Sequence, residues 1–292
     1  MAVFNFGSIN VDHFYRVDHL PEPGETLVAR DHDTGLGGKG ANQSVAIAKA
    51  GVDVFHIGTV GRDGDGIVSE LADFGVDTRH IGRADTVTAH ANICVDDRGE
   101  NQIVVFSGAN QSQTQTAMMQ GLQSARPGDF LVLQNEVNMS LEAAEMGKQK
   151  GMRIVYSAAP FDAEKTKSMM GLVDILVMNE VEQSQLSEHL GSARMAQIPC
   201  DLIVTRGARG ASFIAADGAV IDQEAFEVEA VDTTGAGDCF IGYVVAGLAQ
   251  GKSIGEALVL GTAASALQVQ HPGTAKAIPG KEDVQAFIAK VT

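Results

Sequence analysis

The chain has 292 residues, 45% hydrophobic and 20% charged, with a formal net charge of −16. That length and mix can bury a large core and fit one large α/β domain, or a domain with a small appendage. The excess of acid repels phosphate backbones and anionic lipid heads, which argues against nucleic-acid and membrane partners but does not bar a nucleotide held locally by backbone N–H groups and a metal.

Cys94, Cys200 and Cys239 lie far apart and show no metal-ligand spacing, which points to a reduced, cytoplasmic protein. The N-terminus, MAVFNFGSIN, lacks a basic leader segment, and no run reaches the 18 or so apolar residues of a membrane span, so neither a signal peptide nor a spanning helix is expected.

In chain order, residues 3–9 (VFNFGSI) predict a first buried strand. Residues 10–35 are polar, with three His and a Pro-Glu-Pro-Gly turn, and leave the core. Residues 41–50 have helical spacing closed by Gly51, 54–60 read as a strand, and 66–74 as a helix closed by Gly75. Two β-rich runs, 87–95 and 102–107, flank a hairpin signal. Helices near 114–124, 140–150 and 180–189 then alternate with apolar strands at 130–134, 152–157 and 173–178, the pattern of a parallel sheet covered on both faces. Residues 201–229 are β-rich, and 236–249, 254–269 and 281–290 are helical. The fold expected is one doubly wound α/β domain over 1–292, with insertions near 10–35 and 86–109 that can pair as a small β-sheet beside it.

Three segments carry chemistry. Val231-Asp232-Thr233-Thr234-Gly235-Ala236-Gly237-Asp238 precedes a strongly apolar helix. Gly235, Ala236 and Gly237 leave backbone N–H groups uncovered at the positive end of that helix, a suitable cradle for a transferring phosphoryl group. Asp238 in the first turn can serve as a base toward an attacking alcohol, or simply stabilise its helix as a first-turn charge. Gly35-Leu36-Gly37-Gly38-Lys39-Gly40 matches the dinucleotide G-x-G-x-x-G pattern, but the first strand ends about 26 residues earlier, counting Ile9 to Gly35. It reads instead as a glycine loop opening a helix, with Lys39 and Asn42 placed to bond ligand hydroxyls, or as a plain connection. Asp12 follows the first strand, where open α/β sheets bind ligands, though an Asx turn would also explain it. Asn179 and Glu182 follow the strand ILVM and can reach a metal–phosphate site or merely cap a helix; Thr205 to Gly210 can pass close to a nucleotide or form a hairpin.

Taken together and in order, GSINVDH, PEPGET, GLGGKGANQ, GENQIVVFSGAN, LVLQNE, MNEVE, VTRGARG, VDTTGAGDCF and HPG resemble the ribokinase-like (PfkB) carbohydrate kinases over nearly the whole chain. The resemblance implies a central, mostly parallel sheet with a small β lid. It also implies transfer of the γ-phosphoryl group of ATP, with Mg²⁺, to O5 of D-ribose. Asp238 would then be the base, and the N–H groups of Gly235, Ala236 and Gly237 the anion hole. Asn10, Asp12, Gly38, Lys39, Asn42 and Glu136 would hold the sugar. Asn179, Thr205, Gly207, Gly210 and Thr262 would lie at ATP, and Glu182 at the Mg²⁺ region. Asp232, Thr234, Gln268, His271 and Gly273 would hold a K⁺-like ion, and a homodimer would form through the lids. The chain departs from the family in three places: Thr262 where an Asn is common, Ala277 where a Ser helps bind the cation, and Ser157-Ala158-Ala159-Pro160 for Asn-Pro-Ala-Pro.

Three other readings compete. A related kinase for fructose, 2-keto-3-deoxygluconate or a nucleoside shares the motifs. An NAD-dependent oxidoreductase would need its fingerprint on the first strand. A non-catalytic sugar-binding protein would be expected to lack the base.

Overall fold

In the computed structural model, which describes residues 1–191, 195 and 198–291, the first strand, β1 (Val3–Phe6), shows why the sheet is covered on both faces. Val3 joins one apolar cluster, while Phe4 and Phe6 join another on the opposite face. The same two-residue alternation recurs in β8 (Phe130–Leu133) and β10 (Ile175–Asn179), where successive side chains go to opposite clusters.

β1 is flanked by β4 (Val54–Val60) and β8, both parallel to it. Outward from β8 come β9 (Arg153–Ser157), β10 and β11 (Asp201–Thr205), also parallel, then antiparallel β12 (Ala211–Ile214) and β13 (Val220–Gln223). β5 (Asp77–Arg83) closes the other edge, giving nine strands in the order β13-β12-β11-β10-β9-β8-β1-β4-β5.

The second sheet has four strands in the order β3-β2-β6-β7. They are β2 (Asn10–Arg16), β3 (Asp31–Gly37), β6 (Ala89–Val95) and β7 (Asn101–Phe106). The two polar insertions therefore pair with each other. β7 is an edge strand exposed along its whole length.

One face of the large sheet is covered by α1 (Lys39–Lys49), α2 (Asp65–Asp73), α7 (Ala236–Ala249), α8 (Ile254–Gln268) and α9 (Lys281–Val291). The other is covered by α3 (Gln115–Gly121), α4 (Ser140–Gln149), α5 (Ala163–Met169) and α6 (Glu180–Leu190). Twelve residues of α7 are buried, from Asp238 to Ala249, so this helix is apolar nearly all round because it has neighbours nearly all round. It packs closely on α1 at Gly242, where an added Cβ would overlap the side chain of Ala46. That close approach brings the first turn of α7 against the first turn of α1.

One expectation is corrected, and two elements were not foreseen. The first strand ends at Phe6 rather than Ile9. β5, Asp-Thr-Arg-His-Ile-Gly-Arg, carries no strand signal because it is a half-exposed edge packed on the core mainly through Ile81. α5 buries only Thr166 and Met169, too few for a visible period, and is started by Asp162 accepting the Lys165 N–H at 3.0 Å.

Candidate active site

Ser157, Asn179 and Thr205 are the last residues of β9, β10 and β11, and all three line an open cleft of about 590 Å³. A cleft at the carboxyl ends of parallel strands is the common ligand position of open α/β sheets. Lys39 and Asp238, from the first turns of α1 and α7, also line it, with Gly235, Gly237 and Glu182.

Asp238 is buried, and its two oxygens are held by α1: Asn42 donates to Oδ2 at 3.2 Å and Gln43 to Oδ1 at 3.0 Å. Burial raises the affinity of this carboxyl for its proton, against the Lys39 ammonium and the two amide donors. Asp238 in turn is the main group holding the Lys39 ammonium above its usual range, against burial, with further help from Glu136, Glu182 and Asp12. Gln43 also accepts from Gln134 at 2.7 Å, and Gln134 donates to Asn5 at 3.0 Å, so a buried polar chain stiffens the floor beneath the carboxylate.

The smaller sheet contributes Asp12. It sits within β2, paired in register with Gly35 of β3 and Ala91 of β6, and not in a turn. Gly37 leaves room for its carboxyl, since a Cβ there would overlap all three carboxyl atoms. Burial pushes the Asp12 carboxyl up to about 7, helped by Glu136 and Asp238 and opposed by Lys39. Gly35 and Gly37 thus belong to a strand; only Gly38, before the helix, remains of the expected glycine loop. Asn10 accepts from Asn110 at 2.8 Å. Glu136 accepts from the Ser8 hydroxyl at 2.5 Å and the Lys39 N–H at 2.9 Å, which anchors the start of α1.

Around the opening of α7 the expected donors divide. The Ala236 N–H donates to the Thr233 carbonyl at 3.2 Å, so it is engaged within its own turn and is not a cradle donor in this arrangement. Gly235 and Gly237 line the cleft. At the far side, Asn179 and Glu182 form a capping box: Asn179 accepts the Glu182 N–H at 2.9 Å, and Glu182 accepts the Asn179 N–H at 2.8 Å through Oε2.

Several sequence candidates lie away from the cleft. Thr262 is buried in α8, and its hydroxyl donates to the Leu258 and Val259 carbonyls of its own helix. Gly207 is exposed in a short turn, and Gly210 backs against Gln223 of β13, so the hairpin itself accounts for that glycine. Asp232 accepts from the N–H groups of Thr234 and Gly273, both at 2.9 Å, and Gln268 donates to the Thr234 carbonyl at 3.1 Å. The Oε1 of Gln268 is buried with no hydrogen-bond partner among the described residues. His271 is exposed and gives its N–H to the Gln268 carbonyl at 3.0 Å.

The sequence reading assigned no role to Ser8, Gln43, Asn110 or Gln134. All four lie inside or beside the segments that carry the resemblance, but a buried amide in a network looks, in sequence, like any polar residue.

The chain belongs to the pfkB family of carbohydrate kinases, whose family model matches residues 2–281. It is 34% identical to the ribokinase of Haemophilus influenzae over 97% of this chain and 96% of that one. The deoxyribokinase of Salmonella typhi is 31% identical over 99% of each chain. In three dimensions it is similar to Arabidopsis thaliana ribokinase complexed with ribose and ATP, with a TM-score of 0.87, 26% identity and 98% of each chain covered.

Proposed function

We propose that this chain is an ATP-dependent kinase that transfers the γ-phosphoryl group to O5 of D-ribose, giving D-ribose 5-phosphate. The observation that carries this reading is Asp238: a buried carboxylate on the first turn of a helix, fixed by two amides, beside Lys39 and a cleft at the strand ends. On this reading the 292 residues act as one cytoplasmic kinase domain, with the four-stranded sheet as its lid.

The sugar lies between Asp12 and Asp238. The ionised Asp12 carboxylate accepts sugar hydroxyls, with Asn10, Gly38, Lys39, Asn42 and Glu136 around it. Asp238 takes the proton of the O5 hydroxyl as that oxygen attacks phosphorus and the bond to the ADP oxygen breaks. The N–H groups of Gly235 and Gly237, at the positive end of α7, stabilise the charge spread over the phosphoryl oxygens. Asn179 and Thr205, which line the cleft, border the nucleotide.

Among the described residues no three His, Cys, Asp or Glu cluster as a metal cage. Glu182 lines the cleft and offers one carboxylate, which would fit a magnesium ion carried in on the nucleotide phosphates with most of its waters kept. Bound there, the ion neutralises charge on the phosphates. The unpartnered Oε1 of Gln268 beside the Thr234 carbonyl fits a K⁺-like ion held with Asp232 and the 271–273 loop. The apolar exposed edge of β7, with Ile103, Val104, Val105 and Phe106, supports a homodimer through the lids.

A second reading, 2-deoxy-D-ribose as the acceptor, is favoured by the similarity to the deoxyribokinase of Salmonella typhi. ATP consumption on D-ribose, 2-deoxy-D-ribose, fructose, 2-keto-3-deoxygluconate and adenosine separates them. D-ribose is expected to give the highest kcat/KM. A tenfold or greater preference for another acceptor sinks the ribose assignment and leaves the kinase class standing.

A further inference from the structure

Thr274 lies between the two ends of the site, and no step above uses it. It lies buried between α8 and α9. Its hydroxyl donates to the Leu36 carbonyl at 2.9 Å. Its methyl carbon faces Gly235, with room for one Cβ between them: a Cβ added there would sit 3.5 Å from it. Leu36 is the last residue of β3 before Gly37, the glycine that makes room for Asp12. Gly235 opens α7, three residues before Asp238.

The backbone around Thr274 is tied to the same segment. The N–H of Gly273 donates to Asp232 at 2.9 Å. The Val269 carbonyl accepts the N–H groups of Val231 at 2.7 Å and Asp232 at 3.0 Å. Thr274 and its neighbour Gly273 thus link the base of the lid sheet to the turn that presents the phosphoryl donors.

We propose that Thr274 is a positioning residue that couples the two substrates. A shift of β3 on sugar binding must carry the Leu36 carbonyl with it. The loop then follows through the hydroxyl of Thr274, or a buried carbonyl and hydroxyl lose their partners. Following it moves Gly273, and with it the Asp232 clamp on the 231–235 turn. Closely packed neighbours transmit such shifts because they cannot absorb them. By linkage, nucleotide then tightens sugar by the same factor by which sugar tightens nucleotide. The inference rests on the kinase reading and adds to it a route between the substrates.

The test is calorimetry with a non-hydrolysable ATP analogue, adenylyl imidodiphosphate with Mg²⁺, titrated with and without saturating D-ribose. In the wild type the sugar should tighten the analogue by about fivefold or more, the low end of ordinary coupling. Thr274→Val keeps the shape and loses the donor, and should bring that ratio below about twofold while each ligand alone binds within about threefold of wild type. Thr274→Ser keeps the hydroxyl and should recover most of the ratio. A wild-type ratio in Thr274→Val, or a wild type that binds both ligands without coupling, overturns the inference. If Thr274→Val does not fold, Thr274→Ala takes its place under the same criterion. Turnover of the wild type on D-ribose is measured in parallel. Failure there counts against the sugar assignment alone, and the coupling is then read with whichever acceptor is phosphorylated.

Discussion

Asn42 donates to Asp238 at 3.2 Å through Nδ2, while the Oδ1 of the same amide is buried with no hydrogen-bond partner among the described residues. The amide therefore orients the carboxylate and keeps an acceptor for something else. A ligand hydroxyl beside Asp238 could donate to it. One residue of α1 would then align base and nucleophile together, which is the geometry that proton abstraction needs.

Asp238→Asn should lower turnover by about 10²–10⁴-fold, the usual span for losing a general base. Sugar affinity should change far less, because the group acts mainly as the proton moves. Steady-state kinetics beside a direct binding measurement checks this, and near-normal turnover in the variant would remove Asp238 from the role.

Asp12 gives the pH dependence. Its proton affinity in the folded protein is raised from 3.8 to about 7. The stabilisation that goes with this shift is present below the unfolded value near 3.8, and is lost as pH rises through about 7. If Asp12 accepts sugar hydroxyls as proposed, binding needs its ionised form, and the sign for activity is opposite. kcat/KM for the sugar should fall about tenfold per pH unit below that value. Asp12→Asn should bind sugar more weakly at every pH and lose that limb. A wild-type profile flat from pH 5.5 to 8, on the order of the range tested, would show that Asp12 is not the titrating group.

The monovalent ion is tested by initial rates against KCl at constant ionic strength, with a bulky organic cation as replacement. Activation is expected at higher KCl than a complete ligand set would need, because Ala277 supplies no side-chain oxygen. Asp232→Ala should abolish the response more completely than the basal rate. A flat wild-type response would leave Asp232 as a clamp on the Thr234 and Gly273 N–H groups and nothing more.

Light scattering at micromolar concentration should report a dimer. Val104→Lys with Phe106→Lys, on the exposed edge strand, should give a monomer of unchanged helix content. A wild-type monomer would count against pairing through the lid.

Elements with a strong period or apolar runs were legible in the sequence, as α7 shows over 236–249. So was the partnership of the two polar insertions. β5 and α5 were not, because each buries too little to leave a period. At the candidate site, Asp238, Lys39 and Asn42 stood out in the sequence because they stand in glycine-rich segments at helix starts, and the fold brings them together. Gln43 was not, since nothing local says that Gly242 draws α7 close enough for it to reach Asp238. Thr262 and Gly210 mark the opposite limit: family position suggested the nucleotide, and local bonding explains both residues without it.

The order in which the chain is made adds a burden. β9 and β10 are translated well before α7, which lies over Val155, Ile175 and Val177 with Phe240, Ile241 and Val244 and is translated almost last. At about 5–20 residues per second, a ribosome leaves Val155, Ile175 and Val177 without that cover for roughly three seconds or more. For that interval the nascent chain carries an apolar sheet face and no base. This is the state in which a chaperone would bind it, and premature termination before Gly235 would leave it there permanently.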